Sequence, residues 1–164
     1  MIHSFDSQLQ VALRALEEVV APSLAGAEKH VVEQLMLAIV TIGFVKTRLP
    51  EARRFYRMEL RTCIEMAQAA GGIAGTSAEM AQAIAEGNSA LADPGADNVA
   101  FEAASRRLRD LVTALSAALA GQPDQTRLDA VILEKSSALL GQYRLWCAPF
   151  GFELQPEKLP KPAW

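Results

Sequence analysis

"ARRFYRMELRTCIEM", residues 52–66, reads as a helix before it reads as anything else. Spaced at about 100° per residue, Phe55, Met66, Ala52, Cys63, Tyr56 and Leu60 fill one apolar arc. Arg53, Arg57, Arg61 and Arg54 gather on the other side, in a stripe about 100° wide. One acid falls on the wrong side of that division. Glu59 lies at about 240°, between Phe55 and Met66 on one flank and Ala52 and Cys63 on the other. A carboxylate there is costly to bury unless it is paired or protonated. Either it meets a partner in the core, or the arc faces a cavity and Glu59 belongs to a site.

The arginines have three readings. They form a solvated face on which Glu65, one turn on, pairs with Arg61. Or they form a strip for phosphate or carboxylate, which guanidinium forks suit. Or they meet the acidic segment of a partner. The charge distribution bears on the third. Residues 46–61 hold six basic residues against two acidic ones, while residues 62–104 hold no Lys or Arg and six acids. A net charge of −3 argues against a dedicated nucleic-acid binder.

The same periodicity extends in both directions. A first helix is expected over residues 5–21, with Ser4 as its N-cap and Pro22 closing it. A second covers residues 27–49. It is apolar around most of its circumference, with only His30, Gln34, Thr41 and Arg48 in a polar stripe. Such a helix is either central or shared with a second subunit. The stripe helix runs over residues 51–70 and ends at Gly71 and Gly72. "TSAE" gives Thr76 and Glu79 the spacing of a capping box for a fourth helix, which ends near "DPG". Asp97 caps a fifth, up to Gly121, with Phe101, Leu108 and Val112 inward and Arg106, Arg107, Arg109 and Asp110 outward. A sixth follows Pro123 as far as Cys147. Aromatics are only 6% of the chain, which favours closely packed helices over a sheet.

The expected fold is therefore all-α: an antiparallel bundle of five to six helices over residues 1–147. Residues 148–164 hold four of the eight prolines, so an extended tail is expected there. Its Phe150, Phe152, Leu154 and Trp164 argue that it lies on the bundle or on a partner.

Several chemistries can be weighed by their residues. His30 and Glu33 have the His-x-x-Glu look of a di-metal bundle, but the chain has two histidines and the other is His3. The ligand count fails, so no metal or other cofactor is expected. "GGIAGTS" at residues 71–77 lacks the strand and the lysine of a phosphate loop. No nucleophile–base arrangement stands out, which leans away from an enzyme. "LMLAIVTIGFV", residues 35–45, falls short of the about 18 residues needed to span a bilayer. With no leader-like N-terminus and two cysteines at unrelated positions, a cytoplasmic protein with reduced thiols is expected.

"LEEVVAPSLAG" (residues 16–26), followed by His30 and the apolar run, resembles the opening of a family of short bacterial all-helical proteins. Members tend to be encoded near aminoglycoside-phosphotransferase-like kinases and acyl-CoA dehydrogenases. The likeness covers about a quarter of the chain. It implies an accessory role near such metabolism and supplies no catalytic residue.

Two functional expectations follow. The first is a non-enzymatic interaction protein that forms a homodimer through the apolar second helix, with a further protein partner open. The second is a binder of a small anionic or acyl-type ligand between the second and third helices. Its polar contacts would be Glu59, His30 and Gln34, with Arg53, Arg57 and Arg61 outside.

Overall fold

The computed structural model describes residues 4–164; His3 lies outside them. The chain is all-α, about 81% helical, with no strand among the described residues. In chain order the helices are α1 (Phe5–Arg14), a π-helical stretch Ala15–Val20, a short α2 (Ala21–Ser23), α3 (Lys29–Arg48), α4 (Ala52–Ala74), α5 (Ala78–Ala92), α6 (Asn98–Ala118) and α7 (Gln125–Cys147). Single 3-10 turns occupy Leu49–Glu51, Ala148–Phe150 and Pro156–Lys158.

The caps show where local sequence decides and where packing overrides it. Ser4 accepts from the Ser7 amide and Asp97 from that of Ala100, as their positions before the helices dictate. Two expectations at the α4–α5 junction are corrected. Helix α4 does not stop at Gly71 and Gly72 but runs on to Ala74 and ends at Gly75, whose φ of 88° suits only glycine. Gly71 is buried against the side chain of Thr76, and that packing outweighs its weak helix propensity. With Thr76 so engaged, Ser77 caps α5 by accepting from the Met80 amide.

The chain divides into two compact units. One comprises Glu51–Tyr143 with Pro160–Trp164. Here α4, α5 and α6 pack on one another, and α4 supplies half of the buried apolar side chains. Leu60, Cys63, Ala67 and Ala70 are completely buried, as are Phe101 and Leu108 of α6. Gly87 lets α5 come close to α4: a Cβ there would lie 3.1 Å from Cδ1 of Ile64. Helix α7 keeps no comparable close run of backbone against these three, although its Leu128 and Leu139 are buried. The last residues are tied to α7 by the buried Gln142. Its Nε2 donates to the Lys161 carbonyl at 3.1 Å, and its Oε1 accepts from the Ala163 amide at 3.0 Å.

The other unit comprises the chain up to Pro50 together with Arg144–Leu159. Asp6 of α1 pairs with Lys46 of α3 at 3.2 Å. Phe150 stacks on Phe44, centroids 4.3 Å apart, and Arg48 donates to the Leu145 and Trp146 carbonyls at the end of α7. The expectation of α3 as a central helix is corrected. It has no buried residue, and Leu13 alone is buried among the described residues of this unit. Ten of the thirteen large apolar side chains left exposed belong here, Met36, Leu37, Val45 and Leu49 of the α3 segment among them. The helical run Lys29–Ala74 includes an 18-residue window of mean hydropathy 1.3, none of it buried, which by length and composition passes for a membrane span.

Candidate functional site

Glu59 reaches the interior because its turn of α4 faces α6, and it is 5% exposed. Two donors converge on one of its oxygens. Arg109 of α6 donates from Nη1 at 2.6 Å and Tyr143 of α7 donates its hydroxyl at 2.5 Å. The same Nη1 also donates to the Tyr143 oxygen at 3.0 Å, closing a three-membered cluster. A buried carboxylate with a cation and a hydroxyl on it is satisfied rather than strained.

Burial works against the charge of Arg109, but the Glu59 hydrogen bond and the surrounding groups outweigh it and hold the guanidinium protonated. Burial, and then the Glu59 carboxylate it bonds, push the Tyr143 phenol up, so the hydroxyl stays protonated and donates. Cys63, beneath the cluster, is pushed up to about 11 by burial, with Arg109 pulling the other way and Glu59 adding to the rise. At neutral pH it is a thiol and no nucleophile. The buried Ser105 hydroxyl has no oxygen or nitrogen partner among the described residues and lies beside the Cys63 thiol, whose rise it moderates.

The outer side of Arg109 faces a groove. Its side chain is 36% exposed, and it lines two adjoining clefts of about 430 and 330 Å³. Both are walled by Met66, Arg109 and Ser136. The larger continues along Val112, Thr113, Ser116 and Ile132, and the smaller along Leu139, Leu140 and Tyr143. The groove thus runs between α6 and α7 with Met66 of α4 as its floor, where α7 stands off. Arg109 is the one charged residue in either lining. Glu59 lines neither cleft; it acts on the groove only through its two partners.

The other expected site residues are dispersed. His30 is exposed, 3.2 Å from Glu28, and Gln34 is exposed on α3; both belong to the unit that does not contain Glu59. Arg53 is exposed, but its head group is not free. It donates to the Ala96 and Pro94 carbonyls and lies over the Phe101 ring at 5.2 Å. Arg57 covers the same ring at 5.5 Å. Glu65, expected to pair with Arg61, is bound to Lys135 of α7 at 3.2 Å, and Arg61 is exposed.

Arg109 and Tyr143 are the two residues of this cluster that lie outside the sequence expectation. The sequence expectation places Arg109 on the outer face of its helix with Arg106, Arg107 and Asp110. The signal is there: Arg109 falls about 80° from Phe101, whereas the other three fall about 120° to 180° away. Tyr143 had no such signal, because α7 carries apolar residues on several faces. Among the described residues, no cluster of three His, Cys, Asp or Glu side chains is placed to hold a metal.

No family model, curated protein or solved structure matches this chain.

Proposed function

We propose that the protein is a helical binding protein for a small acyl-type ligand, an apolar chain bearing one carbonyl or carboxylate group. One observation carries the reading: the guanidinium fixed by Glu59 and Tyr143 is also the one charged group in the α6–α7 groove. A preorganised donor where two largely apolar clefts meet suits an acceptor group that carries a hydrocarbon chain along one of them. Because Glu59 already balances Arg109, the donor recognises a carbonyl as well as a carboxylate. A cleft of about 430 Å³ falls within the usual size of small-molecule sites. The resemblance of residues 16–45 to proteins encoded near acyl-CoA dehydrogenases points to the same chemistry. Two unpaired cysteines fit a cytoplasmic setting.

Isothermal titration with medium-chain carboxylates and their methyl esters tests this. Wild type should bind saturably, and Ser136→Phe, a change at an exposed rim position, should abolish binding while leaving the melting temperature within a few degrees. No heat from wild type, or equal heat from the variant, ends the reading.

A second reading, pairing with another copy of the chain, is favoured by α3. Twenty residues with none buried, beside a groove formed by Met36, Leu37, Val40, Phe150 and Phe152, leave an apolar surface about 30 Å long. A lipid surface suits it less, since the first seventeen residues of α3 carry one lysine and no arginine, whereas interfacial helices are rimmed by several.

A further inference from the structure

The arginine stripe of α4 contains a second candidate site, on the opposite side of the helix from Glu59. Arg54, Arg57 and Arg61 line one recess of about 140 Å³ together with Met58, Ala163 and Trp164. None of the three arginines has a carboxylate partner among the described residues. Their stripe-mate Arg53 is committed to the Pro94 and Ala96 carbonyls, and Glu65 is committed to Lys135. Three cations one turn apart repel one another, so leaving them together unpaired opposes folding unless an anion joins them.

The recess is also preformed. Arg57 is braced over the Phe101 ring. The wall opposite is Trp164, whose Nε1 donates to Glu51 at 3.0 Å and whose ring meets Phe55 edge-on at 5.4 Å. Bracing of this kind lowers the ordering cost of a ligand contact. The volume admits one tetrahedral oxyanion and not the molecule that bears it. We infer that Arg54, Arg57 and Arg61 with Trp164 form a binding site for a phosphate group, either free or as the exposed terminus of a small organic phosphate. Guanidinium forks match phosphate oxygens two at a time, and the dianion offsets the repulsion along α4.

Inorganic phosphate and glycerol phosphate are the probes, titrated at constant ionic strength against chloride. The readouts are calorimetry and the Trp164 indole N–H resonance in 1H–15N spectra. Wild type should bind one phosphate, with the Trp164 resonance moving along a saturating curve. Arg54→Ala combined with Arg61→Ala alters two exposed side chains, so it should fold as wild type does and bind about tenfold more weakly or less. Arg61→Lys keeps the charge and loses the fork, and should fall between them. Preference for glycerol phosphate would identify an organic phosphate as the ligand, and equal affinity the free ion. An unmoved Trp164 resonance, or a double variant that binds as wild type does, overturns the assignment. Since the groove beside Arg109 lies elsewhere in the unit, Ser136→Phe should leave phosphate binding unchanged; loss of it there would also overturn the assignment.

Discussion

Removing Glu59 takes the acceptor from two donors at once. Glu59→Ala leaves the Arg109 cation half-buried with only the Tyr143 oxygen beside it, and should cost about 3 kcal/mol or more in urea unfolding. Tyr143→Phe removes one hydroxyl and should cost about 1–1.5 kcal/mol. Cys63 gives the cluster a signature in pH. Its folded value of about 11 lies above the ordinary 9.0, so both states hold the proton below that ordinary value and stability does not change there. Between the two, the unfolded chain releases its proton while the folded chain keeps it. Stability therefore falls as pH rises through that window. Tyr143, also raised, extends the loss above its ordinary 10.0. Cys63→Ala should flatten the first part of the decline in alkaline urea melts. A decline equally steep in the variant would place its origin elsewhere.

At the level of the element, α4 carries two faces with unequal roles. Arg53 and Arg61 lie on the same stripe, yet Arg53 ties down the α5–α6 connection through two carbonyls and shields Phe101. Arg53→Ala should cost about 1–2 kcal/mol, while Arg61→Ala, at an exposed position, should stay within about 0.5 kcal/mol. Equal costs in thermal unfolding would mean that the carbonyl contacts contribute nothing. The helical period that separates the stripe from the apolar arc also places Glu59 inward, because which face of a helix is buried follows from period alone. It could not show that Arg53 bends over Phe101, since that depends on where the α5–α6 loop brings Pro94 and Ala96. Nor could it show Glu65 turning from Arg61 to Lys135, which lies seventy residues further on. Period decides which way a residue faces; only the packed helices decide what it meets there. The same limit hid the groove, which exists because α7 stands away from α6, a spacing that no pattern within either helix records.

Over the whole molecule, the two units differ in how much they bury. The unit built on α4, α5 and α6 holds nearly all of the buried side chains, whereas the unit of α1 and α3 has Leu13 alone. Amide exchange reads this difference, because protection tracks the free energy of local opening, and opening is easiest where few apolar contacts are lost. In dilute solution the amides of α4 and α6 should be the most protected and those of α3 should exchange well before them. Pairing through α3 adds a concentration dependence. If a second copy covers Met36 and Leu37, protection of α3 should rise with protein concentration while that of α4 stays constant, by mass action. Light scattering should then show a dimer whose population follows the same curve. Leu37→Glu, at a side chain 53% exposed, should leave the protein folded and hold it as a monomer, with α3 exchanging fast at every concentration. Slow exchange in α3 at the highest dilution, with scattering that reports a monomer throughout, would instead mean that α3 is stable without a partner.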